Sequence, residues 1–202
     1  MSTSLRSITK IVRGIRQGAS LTRLSGDSET GASTPVIQIG NLEPHGIDPE
    51  SLKTELLDVE KARVYRVREG QILLSQFVSK LRAALASRSV AESGAVVGAN
   101  VTIIEPDLDR VVPDYLLAML SSRAFQVRIE RLTGGSTTAQ LSVSALKAFE
   151  IPVPPMAQQL ALGKAFRASR DSLVAARRLT QAQEDLLEHA ALDLWEGTEA
   201  HA

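Results

Sequence analysis

The residues best suited to chemistry in this chain follow a glycine pair. Gly134-Gly135-Ser136-Thr137-Thr138 sets three hydroxyls behind a flexible turn, with Gln140 close after them. Such a turn can bind a phosphate group, although it lacks the lysine and the spacing of a nucleotide-binding loop. Basic side chains are the other candidates, and they come in blocks. Residues 1–26 carry five bases and no acid, a balance of +5, and residues 27–60 fall to −7. Residues 61–90 return to +6, and residues 91–120 fall to −4. Folding that joins the two basic blocks makes a face that attracts polyanions; kept apart, they are ordinary solvated surface.

Catalytic constellations are harder to find. His45, His189 and His201 are scattered, and Glu184, Glu188 and His189 on one helix make no complete metal set. Ser136 has no base near it in sequence, and no glycine-rich strand–turn–helix motif offers a cofactor site. The chain has no cysteine, which excludes disulfides, cysteine-held zinc and thiol chemistry. These absences point to a non-catalytic chain with no cofactor and no metal. Aromatics make up 3% of the residues, too few for a base-stacking platform. No apolar run approaches the ~20 residues that span a bilayer, and the N-terminus lacks a signal-peptide core. A soluble cytoplasmic protein is expected.

The elements that must hold these residues are legible in part. At 44% hydrophobic over 202 residues, the chain can bury the core of one ordinary domain plus an appendage. Leu5, Ile8, Ile11, Val12 and Ile15 recur at helix-like spacing, with a strand as the alternative because of the β-branching and Gly14. Residues 17–35, rich in Gly, Ser and Thr, read as a long loop. Pro35–Leu42 reads as a strand ending in a turn, and residues 49–62 as a short helix or irregular element. Val64–Val67 alternates, and Gln71–Ser75 reads as a second strand. Gly94–Gly98 and Asn100–Ile104 read as a paired strand region. Helices follow from Pro113 to Leu120 and from Ser122 to Leu132.

The junction comes next. Ser142 is placed to cap a helical turn at Ala145-Leu146-Lys147. Glu150–Val153 reads as a short edge strand, and Pro152, Pro154 and Pro155 make a rigid hinge. From Met156 to Trp195 one helical pattern runs for ~60 Å at 1.5 Å per residue. Alternate steps of four and three place Leu162, Phe166, Leu173, Ala176, Leu187 and Leu194 on one seam, broken by Ser169, Thr180 and Gln183. A lone helix of this length must bury its stripe on a partner helix or fold back as two shorter ones. The expected fold is α/β (α+β): a compact mixed domain, residues 1–153, then one long coiled-coil helix, 154–196, and a tail, 197–202.

In this order the segments resemble a known family. Ile37–Leu42 with Gly46-Ile47, Gly70–Ser75, Pro113–Leu116, Leu120–Ser122, Gly134–Ser136, Leu141-Ser142 with Leu146-Lys147, Ile151–Pro155 and Gln158-Gln159 together are similar to the specificity subunits of type I restriction–modification systems. The resemblance covers one target-recognition domain and one conserved helix, where family members commonly carry two of each. Two departures stand out: Gln71 where the family usually has an acid before the second strand, and Gln158 where it has glutamate.

The resemblance implies a non-catalytic reader of double-stranded DNA that recruits a methyltransferase subunit, and a restriction or translocase subunit where one exists. It also implies a half-subunit that pairs as a homodimer through its long helix and reads a split palindromic site. Under that reading Arg13, Arg16, Lys80, Arg82 and Arg88 are candidates for phosphate contacts. Ser136, Thr137, Thr138 and Gln140 are candidates for bases or phosphates. Gln38 and Asn41 could read adenine, but their place at a strand end favours a structural role. A second reading is an adaptor or decoy that binds a methyltransferase subunit through the helix without reading DNA. Salt dependence of DNA affinity separates the two.

Overall fold

The structure, a computed structural model, describes residues 3–27, 29–43, 46–132 and 139–199. The chain forms two compact units, Met1–Phe166 and Arg167–Ala202.

The first unit is built on a four-stranded antiparallel sheet. Its strands are β2 (Val12–Gln17), β8 (Val101–Pro106), β5 (Ile72–Ser75) and β6 (Ala83–Leu85), in that order across the sheet. A second sheet sets β4 (Lys53–Asp58) and β7 (Val96–Val97) either side of β3 (Gly31–Ile37). A third pairs β1 (Ser4–Ser7) with β9 (Glu150–Val153). The α-helices among the described residues are α1 (Leu21–Leu24), α2 (Val59–Ala62), α3 (Arg88–Glu92), α4 (Pro113–Leu120), α5 (Arg123–Leu132), α6 (Val143–Lys147) and α7 (Met156–Glu199).

The central strands explain their own sequence. Ile72, Leu74 and Ile104 join a core with Ile8, Ile11, Leu116, Leu117 and Phe125. Leu73 and Ile103, one residue out of phase, join a separate core with Ile37, Leu42 and Val97 on the opposite face. A strand buried on both faces needs a near-continuous apolar run, which is why Ile72-Leu73-Leu74 does not alternate. By contrast β2 lies at the sheet's edge and alternates, with Ile15 buried and Arg16 half-buried.

Five segments differ from the sequence reading in whole or in part. Residues 5–16 are not a helix: β1, a 3-10 turn at Ile8–Lys10 and β2 share the segment. The turn and a register shift between Val12 and Gly14 offset the strand period, so buried Ile8, Ile11 and Ile15 fall at helical spacing. Residues 17–35 are no continuous loop, since they hold α1 and most of β3. Residues 49–62 do include short helical pieces, a 3-10 turn at Pro49–Ser51 and α2, but between them runs β4, a largely exposed strand paired with β3, whose polar outer face gives little strand signal. Val64 and Tyr65 lie in a 3-10 turn, Arg63–Tyr65, rather than in a strand. Finally, β7 and β8 do not pair with each other: β7 runs parallel to β3, while β8 pairs with β2 and β5.

The junction folds as its residue types dictate. Ser142 Oγ accepts from Ala145 N–H at 3.1 Å and caps α6. The Tyr115 hydroxyl donates to Pro152 O at 2.7 Å and so ties α4 to the hinge strand. Burial pushes that phenol above its ordinary pKa. Gln159 is 2% exposed in the first turn of α7. Its Oε1 accepts from Val112 N–H at 3.0 Å, and its Nε2 donates to Pro154 O at 2.9 Å and Arg110 O at 3.3 Å. Gln71, at the family's acidic position, accepts from Arg68 N–H at 3.0 Å through its carboxamide oxygen. An acid there would accept the same bond.

The entry to β3 is a pH-sensitive turn. Asp27 Oδ1 accepts from Thr30 N–H at 2.8 Å, the Thr30 hydroxyl at 2.9 Å and Glu29 N–H at 3.0 Å. These bonds, Thr30 N–H foremost, hold the carboxyl below its ordinary value. A depressed folded pKa adds stability that is complete above the unfolded pKa and is lost as pH falls through the folded one. Melting temperatures of Asp27→Asn and the parent should therefore differ at neutral pH and converge as the pH is lowered through the carboxylate range.

Candidate nucleic-acid interface

The antiparallel register gives the four-stranded sheet two rims, and the candidate residues divide between them. At one rim lie the ends of β2 and β5 and the starts of β6 and β8, with Ser75 opposite Val101. The turns after β3 and β7 join this rim through backbone bonds. Gly18 N–H donates to Val101 O, Ala19 N–H to Val97 O, and Gly98 N–H to Ile37 O, each at 2.9 Å.

Polar side chains gather here from five segments. Gln76 is buried and donates to Thr102 Oγ1 at 3.2 Å. Its backbone N–H donates to Asn100 O at 3.0 Å, and its carbonyl accepts from Leu141 N–H at 2.7 Å. Gln17 donates to Ala99 O at 2.7 Å. Asn41 Oδ1 accepts from Gln38 N–H at 2.9 Å, so Asn41 braces its own turn. The 3-10 turn Val78–Lys80 and exposed Gln140, which bridges to Phe77, sit at the same rim. So does Arg82, whose Nη1 lies 3.1 Å from Glu43 Oε1. Ser136, Thr137 and Thr138 lie outside the described residues, as do the side chains of Lys80 and Leu194.

The other basic candidates are not on this rim. Arg13 pairs with Asp107 at 3.6 Å, beyond the far end of β8. Arg88 lies 3.6 Å from Glu69 and 3.9 Å from Glu92 beside the start of β5. Such exposed pairs contribute little to stability. Arg16, between the rims, donates to Val64 O at 2.7 Å. Burial lowers its pKa first and nearby Arg68 second, while Glu105 and Tyr65 oppose both. Arg68 itself pairs with Glu105 at 2.7 Å.

Sequence reasoning missed Gln17, Gln76, Asn100 and Arg68. Each is an isolated polar residue in sequence; Gln17, Gln76 and Arg68 bond partners 26 or more positions away, and Asn100 is placed by strand register. No local pattern marks them. Among the described residues, no group of three or more His, Asp or Glu is placed to hold a metal ion.

In the second unit, Leu173, Leu179, Leu186, Leu187 and Leu192 are each more than half exposed. Leu179, Leu186 and Leu192 were not on the seam read from sequence. Of the two seam residues in the first unit, Leu162 is 44% exposed and Phe166 packs on the core around Ile104 and Leu116.

Comparison with known proteins identifies the kinship. The sequence profile of the type I restriction modification DNA specificity domain matches residues 4–170. The chain belongs to this family. The structure agrees with the fold expected for a specificity domain: a mixed α/β body and a long C-terminal helix, α7. It is similar to the HsdS subunit from Thermoanaerobacter tengcongensis, with TM-score 0.61 and 13% identity over 91% of this chain and 46% of that one. A structure concerned with complex assembly and conformational transition of the type I R-M system gives TM-score 0.58 and 18% identity, over 95% of this chain and 45% of that one. The S subunit of a type I restriction-modification system from M. genitalium gives 0.55 and 11%, over 90% and 42%. The specificity domain described here thus spans less than half the length of these solved chains. Among curated proteins, none matches it significantly. No helix among the described residues is long and apolar enough to cross a membrane.

Proposed function

We propose that this chain is the sequence-reading, non-catalytic part of a type I restriction–modification or DNA methyltransferase complex in the cytoplasm. The observation that carries the reading is the specificity-domain match across residues 4–170. In this reading double-stranded DNA lies against the amide-rich rim, and a methyltransferase subunit, with a restriction or translocase subunit where one exists, acts on the DNA so positioned. Lys80 and Arg82 make phosphate contacts there, and Ser136, Thr137, Thr138 and Gln140 reach bases or phosphates. Arg13, Arg16 and Arg88 contribute to the surrounding positive field.

Base-resolution methylation sequencing of the host, with the chain present and deleted, tests the reading. Loss of one split motif on deletion supports it; an unchanged methylome with the partner methyltransferase expressed overturns it. Binding measurements then locate the contact face. Lys80→Ala is expected to weaken DNA binding for all sequences and to reduce the slope of log affinity against log salt by about 1. DNA binding by the assembled complex that ignores salt would favour the adaptor or decoy reading.

The second unit supports pairing of two copies. Its exposed leucines cannot be buried on one isolated helix, and a two-fold partner supplies the missing surface. Two domains related by such an axis read a palindromic, interrupted site. Leu173→Asp is expected to convert a dimer to a monomer in a solution mass measurement, and an unchanged mass would count against the pairing.

A further inference from the structure

The amide-rich rim contains a pocket of about 310 Å³ at the meeting of three turns. Ser20, Gln38, Gly40, Ala99 and Asn100 line it, with Leu21 and Ala19 adding apolar surface. We propose that Gln38 and Asn100 read the major-groove edge of an adenine in this pocket. The proposal rests on the DNA-reading role above and names the residues and the base class.

The lining selects the ligand. Among the described residues no charged side chain lines the pocket, so it is built for a neutral polar edge rather than for a phosphate. A carboxamide offers one donor and one acceptor side by side. Adenine presents the complement, an N7 acceptor beside an N6 amino donor, and Asn or Gln pairs with it bidentately. Guanine presents two acceptors on that edge and leaves the amide oxygen facing an oxygen or nitrogen lone pair. The apolar part of the lining suits the methyl group of the paired thymine.

Elimination at the rim points first to Asn100, with the Gln38 amino group beside it. Asn41 is occupied by Gln38 N–H, Gln17 by Ala99 O, and Gln76 by Thr102. Asn100 and Gln38 are both exposed; the Gln38 side chain closes a capping box on the Asn41 backbone through its oxygen and keeps its amino group to donate, while no side-chain hydrogen bond of Asn100 is found among the described residues. Their backbones are fixed from below. Gly98 N–H donates to Ile37 O, Val101 N–H to Gly98 O at 3.1 Å, and Gln76 N–H to Asn100 O. The amides therefore sit on a platform organised before DNA arrives, which lowers the ordering cost of recognition.

The test is selection of bound duplexes from a random-sequence DNA library by the full chain and its variants, followed by sequencing. The parent should enrich a motif with a fixed A·T pair. Asn100→Ala and Gln38→Ala should each lose on the order of 10-fold or more of the discrimination at that pair and keep it elsewhere. Asn100→Asp keeps the size but only accepts hydrogen bonds, so it should shift the preference toward cytosine, whose N4 amino group donates. Should an alanine variant melt early, the aspartate variant at an exposed site carries the test. Unchanged motifs in folded variants overturn the assignment of these two residues and leave DNA reading intact. A parent chain that enriches no motif overturns DNA reading itself.

Discussion

Gln159→Leu is expected to lower the stability of the first unit by about 2–4 kcal/mol, read from urea or thermal unfolding, because it strands the buried Pro154 carbonyl and leaves the part-buried Val112 N–H and Arg110 carbonyl without their side-chain partner. The leucine has nearly the right size and suits a helix, so propensity and volume predict a mild change. Hydrogen bonding predicts the opposite. Val112 N–H loses its acceptor, and Pro154 O and Arg110 O lose their donor, at a residue that is 2% exposed. An unmade hydrogen bond in the interior costs the desolvation of each group, and no water replaces a side chain that still fills the space. Its neighbour is the control. Gln158 is exposed in the same turn, and Gln158→Glu restores the family's charge beside the helix N-terminus. That change should stabilise by about 0.3–1 kcal/mol through the helix dipole. Two adjacent glutamines in one motif thus have opposite sensitivities, and burial decides which is which.

The second large effect is expected at Gly18. A Cβ there would stand 2.2 Å from Gly98 O and 2.6 Å from Val97 O, both backbone atoms. Neither can withdraw without breaking the bonds from Gly18 to Val101 O and from Ala19 to Val97 O. Gly18→Ala should therefore cost about 3 kcal/mol, the upper part of the range for overpacking. It should also distort the pocket that holds Gln38 and Asn100. Gly14 provides the comparison, since a Cβ there meets nothing within 4 Å. Gly14→Ala should be neutral or stabilise by about 0.5 kcal/mol, because alanine loses less backbone entropy in a strand. Equal melting temperatures for the two alanine variants would remove the claim that the rim turns are locked by close backbone approach.

The sequence by itself determined the elements that carry local signals. Proline at the first turn announced α4, and an uncapped apolar pattern marked α7. Ser142 marked the cap of α6, and the prolines marked the passage from β9 to α7, signals that need no distant partner. The apolar run at Ile72-Leu73-Leu74 identified a central strand, and the ordered string of motifs identified the family. Where a 3-10 turn and a register shift intervene, as at residues 8–14, periodicity gave the wrong element, because spacing along the chain no longer equals spacing on one face.

The tertiary structure alone decided which residues share a surface. Lys80, Arg82 and Gln140 came to one rim with Gln17, Gln38, Gln76 and Asn100, while Arg13 and Arg88 went to the other. Strand register sets that division, and register is fixed by pairing between segments far apart in sequence. A basic block in the chain is therefore not a basic face on the molecule. The same physics hides the structural glycine, since the atom that forbids a side chain at Gly18 belongs to Gly98, eighty residues away.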